Sequence, residues 1–220
     1  MDILGVLFSA GLGYLLGSIP FGLVIVKAAG LGDIRSIGSG NIGATNVLRT
    51  GRKDLALATF LLDSGKAAIA LLLARTFAGE AAGYVAGAAA FLGHCFPVWL
   101  NFKGGKGVAT FFGVLLVGLP ITGLAAGAIW ILCAIATRLS SLSALLAALS
   151  APVTAYLLAD PDAVVAPVAF CTLLCGLILW RHRANIERLA NGTEPRIGDK
   201  AKSPAGAEPA ADQPIDSEPA

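Results

Sequence analysis

Nine consecutive residues, Gly38-Ser39-Gly40-Asn41-Ile42-Gly43-Ala44-Thr45-Asn46, hold three glycines, two asparagines, a serine and a threonine, and Arg49 follows three positions later.

 The glycines number three in all, Gly38, Gly40 and Gly43, and the asparagines are Asn41 and Asn46. Glycine permits the positive φ and close backbone approach that let successive N–H groups point into one concavity. Ser39, Thr45 and the asparagines add side-chain donors and Arg49 adds charge, so the segment reads as a phosphate cradle. It also reads as an ordinary glycine-rich loop that caps a helix, with Ser39 or Asn41 at the N-cap. It is not a Walker-type loop, because no Gly-Lys-Ser/Thr follows at the required spacing.

A second loop runs Phe102-Lys103-Gly104-Gly105-Lys106-Gly107. Two ammonium groups on a glycine-rich turn at the mouth of a helix can hold phosphate as point charges. The plainer reading is a basic loop that only sets membrane orientation, which does not need three glycines. His94 stands one helical turn before Pro97-Val98-Trp99, and a lone histidine there is more often a packing residue than a catalyst. Asp63 and Lys66 are spaced i, i+3, which puts opposite charges on one helix face where they pair. Arg181-His182-Arg183-Ala184-Asn185 ends the last apolar run, and a basic stop-transfer cap explains its arginines but not His182 or Asn185. The charges of Arg181, Arg183 and Arg188 would lower the pKa of His182 and suit it to a neutral, hydrogen-bonding role.

The elements that must position these residues are apolar. Hydrophobic residues make up 56% of the 220 and charged residues 14%, against roughly 25% charged in an ordinary globular domain; mean hydropathy is +0.76. From Leu55 to Trp180 the only charges are Asp63, Lys66, Arg75, Glu80, Lys103, Lys106, Arg138, Asp160 and Asp162. Too little polar surface remains to face water, which excludes a soluble domain, a nucleic-acid-binding domain and a disulfide scaffold. Charges inside a span are expensive and face a bundle interior or a wet cavity, which is the expectation for Asp63 and Lys66. The four cysteines, Cys95, Cys133, Cys171 and Cys175, lie in apolar stretches without metal-ligand spacing and read as small packing residues.

Apolar runs fall at Ile3–Val26, Leu55–Ala74, Ala81–Leu100, Gly107–Leu119, Pro120–Thr137, Leu142–Ala159 and Ala163–Trp180. The first lacks a basic start and a small-residue cleavage site, so it reads as a helix that stays rather than a signal peptide. Gly107–Leu119 is short of the bilayer core, and reads as a short span or a re-entrant element buried in protein. With seven spans, Lys27, Arg35, Arg49, Arg52, Lys53, Lys103, Lys106, Arg138, Arg181, Arg183 and Arg188 all fall on one side. The other side holds Arg75 with Asp2, Glu80, Asp160 and Asp162. The positive-inside rule then puts the N-terminus outside and the C-terminus and basic loops in the cytoplasm. The expected fold is an all-α integral membrane protein, a seven-helix transmembrane bundle with Gly-rich cytoplasmic loops. Residues 1–194 form its membrane domain, and 195–220, rich in Pro, Ala, Gly, Asp and Glu, a disordered cytoplasmic tail.

Taken in order, Gly17-Ser18-Ile19-Pro20, the Ser39–Arg49 segment, Gly93-His94-Cys95-Phe96-Pro97, Phe102–Thr110 and Arg181–Ile186 resemble a known family. It is the bacterial acyl-phosphate-dependent glycerol-3-phosphate acyltransferases, the PlsY family, and the likeness covers almost all of residues 1–194. The resemblance implies transfer of a fatty acyl group from acyl phosphate to the 1-hydroxyl of sn-glycerol 3-phosphate. Lysophosphatidate and inorganic phosphate would be the products, in the first step of phospholipid synthesis.

It also implies a multi-pass protein of the bacterial inner membrane, its active site facing the cytoplasm. Ser39, Asn41, Arg49, His182 and Asn185 are the expected catalytic residues, and Gly40, Gly43, Thr45, Asn46, Lys103 and Lys106 the expected phosphate-binding ones. Asp63, Lys66 and His94 would support them. The substrate's own phosphate would take the hydroxyl proton. No cofactor, metal or nucleic acid enters this reading; its partners are the two substrates, membrane lipid and a functional link to a peripheral acyl-phosphate synthase. Two rivals remain. His182 and Glu187 have a spacing similar to the His-x4-Asp of soluble-type glycerolipid acyltransferases, which use a base. A basic-lined bundle could also be a phosphate-compound transporter, although no repeat halves are detectable and the polar motifs cluster on one side.

Overall fold

The computed structural model describes residues 3–199. Its helices, in chain order, are α1 (Ile3–Gly17), α2 (Phe21–Ala28), α3 (Ala44–Val47), α4 (Lys53–Ala78) and α5 (Glu80–Cys95). They continue with α6 (Val108–Gly118), α7 (Pro120–Thr137), α8 (Ser140–Leu158), α9 (Val165–Arg181) and α10 (Arg183–Ala190). Every apolar run of the sequence is helical over most of its length. The first is broken at Ser18-Ile19-Pro20, where proline supplies no N–H and disfavours helix at the residue before it.

Five segments are long and apolar enough to cross a membrane: Ile3–Ala28, α4, Glu80–Leu100, α7 and α8. The path through α9 and α10, bent by 62°, makes a sixth if taken as one span. Length therefore supports five or six spans where the sequence suggests seven. The difference lies mainly in α6, which has 11 residues and so reaches only about 16 Å. Gly107, with φ of 83°, starts it and Leu119 ends it. Residues 110–115 are all buried, and the helix packs on α4, where a Cβ on Gly113 would strike the Ser64 backbone.

Small residues bring the other helices together. The α1–α5 contact is close at Gly13 and Gly17, where a Cβ would run into the Ala86 and Ala90 carbonyls; small residues at interfaces are how membrane helices maximise packing. α7 packs on α8 and α8 on α9, around a core that includes Leu71, Phe91, Phe111, Leu115, Leu174 and Ile178. The outer surface is apolar too: Phe77, Leu132, Ile135 and Val165 are all exposed, as a lipid solvent allows. The cysteines are free, three of them buried.

The expected disordered tail lies outside the described residues from 200 onward. Residues 195–199 are described, and they are held. The Ile197 N–H donates to the Arg138 carbonyl at 2.7 Å, and Arg138 Nη2 donates to the Ile197 carbonyl at 2.7 Å.

Candidate functional site

The first glycine-rich loop is organised by Asn46. Its side-chain amide, 1% exposed, donates to the carbonyls of Ile34, Ile37 and Asn41 at 3.1, 2.9 and 2.8 Å. Its oxygen accepts the Ser39 N–H at 3.0 Å and Arg49 Nη1 at 3.1 Å. Asn46, expected at the phosphate, here spends its hydrogen-bonding capacity within the loop. The Gly40 N–H is also spent, on the Ile37 carbonyl at 3.0 Å. What the loop presents outward is the exposed Ser39, Gly40 and Thr45, with Asn41, Gly43 and Arg49 half-buried behind them. Thr45 Oγ1 lies 3.1 Å from Ser140 Oγ at the start of α8, which closes the loop onto the bundle.

The second loop folds back over the end of α5. The Gly104 and Gly105 N–H groups donate to the carbonyls of Cys95 (3.1 Å) and His94 (3.0 Å). Arg181, on α9, donates in turn to the carbonyls of Gly105 (3.1 Å) and Gly104 (3.0 Å). Those amides therefore fix the loop, and its anion-holding capacity rests on its lysines. Gly105 fits because a Cβ there would meet the His94 ring. Beneath it Lys66 Nζ donates to Asp63 Oδ1 (2.6 Å) and to the Ile19 carbonyl (2.7 Å), and lies 3.1 Å from His94 Nδ1. The supporting trio of the sequence is thus a buried network, and it also caps the carbonyl exposed at the α1–α2 break.

Lys106, Arg49, His182 and Asn185 come together at this end of the bundle; Lys103 stays exposed, and among the described residues no hydrogen bond or ion pair ties it to them. Lys106 Nζ donates to Asn185 Oδ1 at 2.5 Å. Burial pushes the Lys106 ammonium down to about 8; Glu194 opposes the fall, while Arg188, Arg181 and Arg49 add to it. Arg49 is likewise lowered by burial, with Glu194 and Asp199 opposing. His182 is held at about 4, by burial first and then by Lys106, with a smaller part from Arg181, so burial outweighs the neighbouring arginines expected to do this. Its Nδ1 lies 2.9 Å from the Ile178 carbonyl. A carbonyl only accepts, so Nδ1 carries the proton and Nε2 is left as an acceptor. Glu187 is exposed on α10, and the His-x4-acid spacing yields no His182–Glu187 hydrogen bond.

Sequence reasoning missed Ser140, Ser141 and Glu194. Glu194 Oε1 accepts Asn185 Nδ2 at 2.6 Å and Oε2 accepts Arg188 Nε at 2.7 Å. Burial would raise its pKa, yet Ser141, Asn185 and Arg188 together hold it below the ordinary value. The Ser141 hydroxyl faces that carboxylate but falls short of a full hydrogen bond. The one signal for Glu194 was an acid closing a basic stretch, which otherwise reads as a domain boundary. The assembled site is cationic, partly dry and furnished with one neutral imidazole acceptor, a combination suited to holding a phosphate beside a hydroxyl.

Comparison with known proteins agrees with that chemistry. A sequence model of the family described as Glycerol-3-phosphate acyltransferase matches residues 7–192. The glycerol-3-phosphate acyltransferase of Maricaulis maris is 59% identical over 199 residues, covering 90% of each chain. That of Dinoroseobacter shibae is 59% identical over 201 residues, covering 90% of this chain and 96% of its own. Among solved structures, PlsY, an integral membrane glycerol 3-phosphate acyltransferase, superposes in its glycerol 3-phosphate form with a TM-score of 0.82 at 39% identity, covering 88% of this chain and 96% of that one. Its lysophosphatidic acid form gives 0.80 at 38% identity, covering 87% and 94%.

Proposed function

The chain belongs to the PlsY family of glycerol-3-phosphate acyltransferases, and from that premise we propose that it moves a fatty acyl group from acyl phosphate to the 1-hydroxyl of sn-glycerol 3-phosphate. The hydroxyl oxygen attacks the acyl carbonyl carbon. The carbon–oxygen bond to phosphate breaks, inorganic phosphate leaves with the bonding pair, and lysophosphatidate forms. The hydroxyl proton passes to a substrate phosphate oxygen.

The observation that carries this reading is the convergence of Arg49, Lys106, Asn185 and the neutral His182 from three separate segments. Acyl phosphate is already an activated anhydride, so the protein's task is alignment, worth up to ~7–11 kcal/mol in well-oriented cases, and neutralisation of charge that develops on oxygen. Arg49 and Lys106 hold the phosphate of glycerol phosphate, with Ser39, Asn41, Thr45 and the Gly43 backbone at the mouth for the donor's phosphate. His182 Nε2 orients glycerol phosphate as a hydrogen-bond acceptor, without taking the reacting hydroxyl's proton, and Asn185 keeps Lys106 in place. Lys103 guides anions from the rim.

We place the N-terminus outside, the site in the cytoplasm of a bacterial cell membrane, and α6 and α9 as the remaining two spans of a seven-span bundle. The asymmetry of basic residues supports this orientation. A peripheral synthase that makes acyl phosphate is the natural supplier of so labile a donor. Purified protein in detergent separates this reading from a transporter: an enzyme forms lysophosphatidate without any compartment. Failure to form it from acyl phosphate and glycerol 3-phosphate would overturn the assignment.

A further inference from the structure

Glu194 stands in the middle of the cationic site, with a side chain 7% exposed. Its two oxygens hold Asn185 and Arg188, one turn apart on α10. The Asn185 amide is thereby oriented from both ends. A carboxylate only accepts, an ammonium only donates, and the amide between them offers one of each. Its Nδ2 must face Glu194 and its Oδ1 must face Lys106, which are the contacts seen at 2.6 and 2.5 Å. The carboxylate is not on a fraying end, because Ile197, three residues on, is clipped to Arg138 at the α7–α8 turn.

Four cations, Arg49, Lys106, Arg181 and Arg188, repel one another when no phosphate is bound. A fixed counter-charge among them lets the cluster persist in the empty protein. We infer that Glu194 is a positioning residue, which through the Asn185 amide fixes the Lys106 ammonium where it meets the phosphate of the substrate. The inference rests on the proposed function for what Lys106 meets, but not for how Lys106 is held.

The test follows Lys106 itself. The groups facing it are Glu194, Arg188, Arg181 and Arg49, with Asn185 as its hydrogen-bond partner and His182 alongside. The rate at which its amine is acetylated, read by mass spectrometry from pH 6 to 11, gives its titration midpoint in the purified protein. Glu194→Gln is expected to lower that midpoint by about one unit, because an attractive charge is lost while burial remains. Mere loosening of the fold would admit water and raise it toward ~10.4; either a rise or no change overturns the inference. Kinetics add a cycle. Glu194→Gln is expected to raise KM for glycerol 3-phosphate about tenfold in the parent chain and less than twofold in Asn185→Ala, since contacting residues couple. Equal effects in both backgrounds would also overturn it. If Glu194→Gln does not fold, Glu194→Asp, one methylene too short to reach both partners, takes its place in both measurements. A chain that makes no lysophosphatidate yet shows the lowered midpoint would contradict the proposed function and leave the positioning role standing.

Discussion

Lys106 and His182 give the site its expected pH profile. Lys106, pushed down to about 8, loses its proton as the pH rises through that value, and with it the grip on phosphate. kcat/KM for glycerol 3-phosphate should therefore fall above about pH 8, whereas kcat should hold to higher pH because bound phosphate favours the ammonium. Lys106→Arg, whose charge persists past pH 12, should lower the absolute rate and remove that basic limb; a limb that persists in it belongs to another group. His182, at about 4, is neutral across the physiological range and too weak a base to draw the proton. The acidic limb should come from phosphate, whose second ionisation lies near ~6. His182→Gln should keep the limb and appreciable activity, and disappearance of the limb with kcat down a thousandfold would make His182 the base. Residue types and spacing were enough to single out Arg49, Lys106, His182 and Asn185. They could not show that Asn46 turns its amide inward, because an asparagine in a glycine-rich loop serves a ligand or the loop with the same letters. Glu194 was hidden for a related reason: its partners lie on a helix bent 62° from its neighbour, and no linear spacing reports that bend.

At the scale of elements, α4 ties the scaffold to the site. Lys66 meets Asp63, the Ile19 carbonyl and His94, so one side chain joins α4 to the α1–α2 break and to the end of α5. His94 in turn lies under Gly105, on the loop that carries Lys106. Removing one partner of a buried ion pair typically costs ~3–5 kcal/mol, because a charge is left unpaired. Lys66→Met should accordingly lower the thermal unfolding temperature in detergent more than the double replacement Asp63→Leu, Lys66→Met. A double variant less stable than the single one would refute the idea that the stranded charge dominates. The i, i+3 spacing announced the pair but not its third member, since His94 reaches it from another helix. Helix positions were legible from apolar runs, while the length of α6 was set by Gly107 and Leu119-Pro120 at its ends.

For the whole molecule, orientation is the claim that charge alone supports. Single cysteines at Ser36 and Asp162 in a cysteine-free background should label from opposite sides of sealed vesicles, and same-side labelling would rule out the seven-span arrangement. The apolar exterior was plain in composition, whereas the number of spans was not, because α6 and α9 are shorter than a comfortable crossing. The central claim is that the cationic end of the bundle serves an acyl-phosphate-dependent transfer. Its most direct test is the initial rate of lysophosphatidate formation by the purified protein with acyl phosphate, acyl-CoA or acylated carrier protein as donor, at equal concentration with glycerol 3-phosphate. The account predicts turnover with acyl phosphate, one inorganic phosphate released per lysophosphatidate, and none with the two thioesters. Turnover with a thioester and none with acyl phosphate would contradict it.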